Sequence, residues 1–215
     1  PGVPLAPAEW IDHAVGVGVG TYPAVLMPWV DGMLLSSYVD EMVEEERASE
    51  LRDLAEAWVH LASSLRAASV VHGDLQHGNV MVGSDGALRL IDYDGVWVPG
   101  MPTTLEEAGQ PNYQHPQRME VPEVLVEADT FAAFVIYVSL LAVAADPGLW
   151  DTFHSGENLI LVREDFLEVG RRGSAAWSAL AASPVPAVAA HTETLTQLCS
   201  TDLRMLPLLH DLVAN

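Results

Sequence analysis

The feature that most constrains this chain is a run of polar side chains at residues 71–80, followed by an acidic turn at residues 90–95. The first run reads V-H-G-D-L-Q-H-G-N-V and places Asp74 and Asn79 five residues apart. The second reads L-I-D-Y-D-G, so Asp92 ends an apolar stretch. An S-D-G turn between short apolar runs predicts a β-hairpin that separates the two polar segments.

Side chains of these types, in this order, suit phosphoryl transfer from ATP. Such transfer needs a carboxylate that takes the proton of the acceptor hydroxyl, and oxygen ligands that hold Mg²⁺ against the phosphates. Asp74 is the candidate for the first role. Asn79 and Asp92 are the candidates for the second, because amide and carboxylate oxygens suit a hard cation. Asp94 is either a further Mg²⁺ ligand or a cap of the turn.

Six segments, in the expected order, resemble the protein kinase family. They are a strand and hinge at 24–32, the polar run at 71–80, the acidic turn at 90–95, the sequence G-Q-P-N-Y-Q-H-P-Q at 109–117, Asp129 before an apolar run, and C-S-T-D-L-R at 199–204. The resemblance covers about residues 22–213. It implies an α+β, protein-kinase-like fold, with residues 1–30 as a remnant of the small lobe and residues 31–215 as the helical large lobe.

The resemblance also implies which residues contact the adenine of ATP. Met27 would be the gatekeeper before the hinge. The Pro28 carbonyl would accept from the adenine amino group, and the Val30 N–H would donate to the ring. Met81 and Ile91 would form apolar contacts with the ring.

Two further segments would complete the large lobe. The segment 109–117 resembles the platform on which a kinase holds its acceptor peptide. In the family, a carboxylate at the position of Asp129 accepts hydrogen bonds from backbone amides near His72 and Gly73. Asp129 is therefore expected to be buried at the start of the lobe's core helix.

Four departures from the family bear on activity. All nine basic residues are arginine, so the lysine that holds the α- and β-phosphates is missing, as are the glycine-rich loop and the helix with the lysine's glutamate partner. Gly73 replaces an arginine, as in aminoglycoside and choline kinases, which share the fold. Gln76 replaces a lysine near the γ-phosphate. Asp94 replaces a glycine, and Gln117 replaces the glutamate that would pair with Arg204.

The leading hypothesis is an ATP- and Mg²⁺-dependent kinase that phosphorylates Ser or Thr of a protein substrate. Residues 1–215 alone are expected to be inactive, because the phosphate-binding lysine is absent. A second hypothesis is a pseudokinase scaffold or a nucleotide-binding interaction module with a regulatory protein as partner. A third is a small-molecule phosphotransferase, which the platform at 109–116 disfavours.

A narrower resemblance concerns the D-Y-D-G turn at 92–95 together with P-N-Y-Q-H-P at 111–116. This combination is similar to a bacterial branch of eukaryotic-like kinases. These kinases are often associated with stress-response phosphatase partners, so a phosphatase is a candidate partner.

Composition limits the partners and the compartment. The net charge of −21 disfavours binding to nucleic acid or to anionic membranes. The single cysteine, Cys199, fits a reducing compartment, and a cytoplasmic location is expected. The longest apolar run, residues 130–145, is short for a membrane span, so a buried core helix is expected there.

The remaining pattern predicts the order of the elements. The G-V-G-V-G string at 16–20 is interpreted as a turn and not a phosphate-binding loop, because an apolar strand follows it. We expect strands at 10–17 and 22–28, helices near 34–42 and 46–67, a hairpin at 80–91, a linker near 181–188, and helices near 190–198 and 206–213.

Overall fold

The computed structural model describes residues 5, 7–104, 109–167 and 174–214, and this part of the chain has an α+β fold. Its strands are β1 (Glu9–Val17), β2 (Gly20–Leu26), β3 (Met33–Leu34), β4 (Val80–Val82) and β5 (Leu88–Leu90). Its helices are α1 (Leu35–Glu44), α2 (Ala48–Ala67), α3 (Ala128–Ala145), α4 (Gly148–Phe153), α5 (Arg163–Leu167), α6 (Ala175–Ala181), α7 (Pro186–Leu198) and α8 (Leu209–Val213).

Strands β1 and β2 form an antiparallel ribbon. Glu9 lies opposite Leu26 and Val17 lies opposite Gly20, so the predicted turn between the strands is confirmed. Most side chains of the ribbon are exposed on both faces. The large apolar ones that remain exposed are Trp10, Val15, Val17, Tyr22, Val25 and Leu26.

A second antiparallel sheet has the strand order β3-β4-β5. Met33 lies opposite Val82, and Val82 lies opposite Leu88. The predicted hairpin between β4 and β5 is confirmed, and it is closed by the Gly83 amide, which donates to the Ala87 carbonyl at 3.0 Å. The hairpin places the residues before and after it, Asn79 and Ile91, side by side.

Helices α2 and α3 pack together at the centre of the core. The apolar stripe of α2 is buried as its spacing predicts, and the Trp58 indole donates to the Ala133 carbonyl of α3 at 2.8 Å. Helix α3 is 18 residues long with a mean hydropathy of 1.9, and 83% of it is buried inside the protein. The expected core helix is therefore confirmed, and each large side chain buried there contributes about 1.5–3 kcal/mol.

The connection between α6 and α7 is shorter than predicted. Helix α7 begins at Pro186, within the stretch expected to be a linker, and not near residue 190. Proline fits the first turn of a helix, where its missing N–H needs no partner and its fixed φ is already helical. The proline that indicated a linker in the sequence therefore starts the helix.

Candidate functional site

The Asp74 loop, defined as residues 71–79, is attached to the core through Asp129 in the first turn of α3. The Asp129 carboxylate accepts from the His72 amide at 2.6 Å and from the Gly73 amide at 3.1 Å. Asp129 as a whole residue is half-buried, so it is less buried than the sequence predicted. Burial raises the pKa of its carboxyl, while the two amides and the nearby His72 and Arg118 act in the opposite direction. These two hydrogen bonds fix the start of the loop on the core helix.

The carboxylate of Asp74 is held by three donors. The side-chain nitrogen of Asn79, Nδ2, donates to the Asp74 backbone carbonyl at 2.9 Å and to the Asp74 Oδ2 at 3.0 Å. Gln76 also donates to Oδ2 at 3.0 Å, and the backbone amide of Gln110 donates to Oδ1 at 2.6 Å. Because the Asn79 nitrogen faces Asp74, the Asn79 Oδ1 is the amide atom that could bind a cation.

The Asp92 turn, defined as residues 91–95, is tied to the same loop by backbone hydrogen bonds. The Ile91 amide donates to the Asn79 carbonyl at 3.0 Å, and His72 Nε2 contacts the Ile91 carbonyl at 3.2 Å. Asp92 then takes a φ of 64°, which turns the chain, and both Asp92 and Asp94 are exposed. The three predicted Mg²⁺ ligands therefore lie on two neighbouring, hydrogen-bonded segments.

Three loops meet at this site through glycine backbones. Gly73 has a φ of 81°, and a Cβ there would lie 2.6 Å from the Gly95 carbonyl oxygen. Gly109 has a φ of 74°, and a Cβ there would lie 2.6 Å from the Gly73 carbonyl oxygen and 2.9 Å from Asp74 Oδ1. Any side chain at position 73 would separate the loops, so the close approach of the two loops requires glycine there.

His77 lies at this site, and its contacts there were not predicted from the sequence. It is buried, its Nδ1 lies 2.6 Å from the Tyr113 hydroxyl, and its Nε2 lies 2.9 Å from the Gly156 carbonyl. Since a carbonyl only accepts, Nε2 carries the proton and Nδ1 accepts from the tyrosine. Burial lowers the pKa of His77 and raises that of Tyr113. The second histidine of H-G-D-L-Q-H was the available signal, but both partners are distant in sequence.

Gln117 and Arg204, which the kinase resemblance would join through a glutamate at position 117, have other partners in the structure. The Gln117 side-chain oxygen accepts from the Leu203 amide at 3.1 Å, so residue 117 still contacts the C-terminal segment. Arg204 pairs instead with Glu123, with 3.2 Å between Nη2 and Oε2. Both partners are about half exposed, so the ion pair adds little stability.

The predicted adenine contacts are not gathered in one described cavity. A cavity of about 550 Å³ is lined by Pro28 and Val30 and by residues of the β4–β5 hairpin. The other predicted contacts lie elsewhere, Met27 just after β2, Met81 on β4 and Ile91 just after β5.

Comparison with models of known protein families finds no match, and comparison with curated proteins finds no significant match either. The function is therefore inferred from the residues and their geometry.

Proposed function

We propose that this chain is the hinge and large lobe of a protein-kinase-like phosphotransferase that moves the γ-phosphoryl group of ATP to a Ser or Thr hydroxyl of a protein. The observation that carries the proposal is the pair of hydrogen bonds from the His72 and Gly73 amides to Asp129. They join the Asp74 loop to the core helix in the manner that the family resemblance implies. In this proposal, residues 1–30 are a remnant of the small lobe and residues 31–215 are the large lobe.

Asp74 would orient the acceptor hydroxyl and take its proton. Asn79 and Asp92 would ligate Mg²⁺, with Asp94 as a further ligand. Mg²⁺ commonly uses one or two carboxylates together with substrate phosphates and water, which suits a site with few protein ligands. Bound Mg²⁺ would neutralise charge on the phosphates. The hydrogen bonds among Asp74, Asn79 and Ile91 support this assignment.

A protein acceptor is supported by the contact of the 109–117 segment with Asp74. The Gln110 amide donates to Asp74 Oδ1, and Tyr113 of the same segment is bonded to His77. The segment that would hold the acceptor peptide is thus attached directly to the residue that would receive its proton. A small-molecule acceptor gives no reason for such an attachment.

A pseudokinase or nucleotide-binding module is the second candidate, and the absence of lysine favours it. Without that cation, the phosphates of ATP would be held only through Mg²⁺ and the backbone. Affinity for ATP should then be weak in residues 1–215, and transfer by this chain alone should be undetectable or very slow.

Two substitutions, each made in the full-length protein, distinguish the kinase from the pseudokinase. Asp74→Asn should lower phosphoryl transfer to a generic protein acceptor by about 10²–10⁴-fold and leave Mg²⁺-dependent ATP binding nearly intact. Asp92→Asn should weaken both, since it removes a charged metal ligand. Asp53→Asn, on the exposed face of α2, is the matched control and should change neither.

Transfer is measured with γ-labelled ATP, and binding is measured by thermal shift with ATP and Mg²⁺ against ATP and EDTA. If the wild-type protein binds ATP but transfers phosphate to no acceptor, the pseudokinase hypothesis replaces the kinase hypothesis. If both variants keep both phosphoryl transfer and ATP binding, this site is not the nucleotide site.

A further inference from the structure

Glu157 is held in a fixed position beside the segment that would hold the acceptor peptide. Its backbone carbonyl accepts from the side chain of Gln110 at 3.2 Å and from that of Asn112 at 3.0 Å. The carbonyl of the preceding residue, Gly156, accepts from Nε2 of the buried His77 at 2.9 Å. These hydrogen bonds fix the backbone on both sides of the Glu157 Cα, while Glu157 itself is exposed.

A single residue, Gln110, joins the Glu157 carboxylate to the Asp74 carboxylate. The Gln110 backbone amide donates to Asp74 Oδ1 at 2.6 Å, and its side-chain nitrogen donates to Glu157 Oε2 at 3.1 Å. One glutamine and two hydrogen bonds separate the carboxylates by a distance on the order of 10 Å, which an extended peptide spans in about three residues. A peptide whose hydroxyl lies at Asp74 can therefore place a neighbouring side chain at Glu157.

The charge of Glu157 differs from that of the other carboxylates at the site. In the proposed mechanism Mg²⁺ would neutralise Asp92 and Asp94, and Asp74 accepts from three donors. The Glu157 carboxylate accepts from the neutral side chain of Gln110, and no ion pair to it is found within the part of the chain that the structure describes. A carboxylate without a cation attracts a basic group, and the net charge of −21 adds to that attraction.

We propose that Glu157 selects acceptor segments that carry an arginine or lysine within about three residues of the phosphorylated Ser or Thr. The basic side chain would pair with the Glu157 carboxylate, whereas an acidic side chain at the same place would be repelled. The inference rests on the proposed function, because it takes Asp74 as the position of the acceptor hydroxyl. Glu157 contacts none of the reacting atoms in this proposal, so its role is in specificity and not in catalysis.

The first test measures binding of short peptides to the full-length protein without ATP, by fluorescence anisotropy. Each peptide has one serine in an alanine–glycine background and one arginine at a varied distance from it. The best arginine peptide should bind about three- to fivefold more tightly than its glutamine counterpart, as expected for an exposed charge pair, and added salt should reduce the difference. No phosphate is transferred in this assay, so its result does not depend on kinase activity.

Substitutions then assign the preference to residue 157. Glu157→Gln keeps an oxygen that can accept from Gln110 and removes the charge, so it should abolish the preference for arginine. Glu157→Arg should reverse it, so that a glutamate peptide binds more tightly than the arginine peptide. Glu193→Gln is the matched control, because Glu193 of α7 is also exposed and also accepts from a glutamine side chain, that of Gln197, at 3.4 Å. This control should keep the wild-type preference.

The same peptides, offered as acceptors with γ-labelled ATP, separate this inference from the proposed function. An arginine preference in binding that Glu157→Gln removes, without transfer to any peptide, would support the role of Glu157 in binding a basic segment and overturn the kinase. Transfer to peptides without an arginine preference would support the kinase and overturn the role of Glu157. An arginine preference that persists in Glu157→Gln, or no peptide binding at all, would also overturn it.

Discussion

The β1–β2 ribbon and the helical body around α3 are both rich in large apolar residues, but they bury them to opposite extents. On the ribbon, Trp10 is 63% exposed and Tyr22 is 57% exposed. On α3, Phe131 and Phe134 are completely buried. An isolated two-stranded hairpin is only marginally stable in water, because it has no layer against which to bury its side chains. The helical body buries its own large apolar side chains. The ribbon leaves its large apolar side chains exposed, as is typical of an element that packs against another surface.

The same contrast divides the candidate site. On the body side, Asp74 and Asn79 are hydrogen-bonded to each other, and the loop is bonded to Asp129. On the ribbon side, Pro28 is exposed and Val30 only partly buried. The part of the site that would perform phosphoryl transfer is therefore ordered by the core, while the part that would bind adenine depends on short segments next to the ribbon.

The largest expected difference between the helical body and the ribbon is in the free energy of unfolding that is lost when a large aromatic side chain is truncated to alanine. Phe131→Ala should lower the free energy of unfolding by about 3–5 kcal/mol, because it leaves a cavity beside His115 and Phe166. Trp10→Ala on the ribbon should change it by no more than about 0.5 kcal/mol, as is usual for surface positions. Urea unfolding of the two variants measures both values. Equal losses would mean that the ribbon is packed in solution.

A smaller loss is expected where glycine allows two loops to touch. Gly73→Ala and Gly86→Ala both place a side chain at positive φ, 81° and 74°, which costs roughly 1–2 kcal/mol. At position 86 the added Cβ has open space, whereas at position 73 it meets the Gly95 carbonyl. Gly73→Ala should therefore cost about 1–3 kcal/mol more than Gly86→Ala. If Gly73→Ala and Gly86→Ala are equally stable in urea, the Asp92 turn moves away from the added Cβ without a loss of free energy of unfolding.

Loss of the Asp129 carboxylate comes next. Asp129→Ala leaves the His72 and Gly73 amides without an acceptor and should cost about 1–3 kcal/mol. The ribbon offers a matched control, Asp12→Ala, which removes an exposed acceptor of the Trp10 indole and should have almost no effect. Melting temperatures report the loss, and hydrogen exchange at the two amides locates it. An unchanged melting temperature in Asp129→Ala would contradict the anchoring role.

The smallest effect concerns the buried histidines of the body. Burial lowers the pKa of His77, His115 and His191 below the ordinary 6.5, so the unfolded chain binds protons first as the pH falls. Their contribution to stability is therefore present above about pH 6.5 and is lost as the pH falls toward the depressed folded pKa values. His191→Phe keeps an aromatic ring beside Phe134 and Tyr137 and should reduce this loss.

The measurement is the change in melting temperature between about pH 7.5 and about pH 5.5, above the range where carboxylates titrate. Wild type should lose more than His191→Phe over this interval. An identical change in the two proteins would show that His191 titrates normally in the folded chain.

Much of the fold could be predicted because its signals are local. The extended runs on either side of the glycine-rich turn and the helical apolar spacing placed β1, β2, α2 and α3 within about two residues, and the S-D-G turn placed the β4–β5 hairpin. The helix α7 and its end were predicted, but its start was placed too late, because Pro186 is compatible with a linker or with the first turn of a helix. Only its surroundings in the folded chain decide between the two.

For the candidate site, the sequence by itself determined which side chains carry oxygen and in what order, and the predicted hydrogen bonds from the Asp74 loop to Asp129 are confirmed. The tertiary structure alone decided the contacts between distant segments. His77 with Gly156, Gly73 with Gly95, and Arg204 with Glu123 instead of Gln117 are examples. Such pairs leave no periodic pattern in the sequence, because they depend on where long loops come to rest against the core. The burial that shifts the pKa of His77 and Tyr113 exists only once those loops have packed.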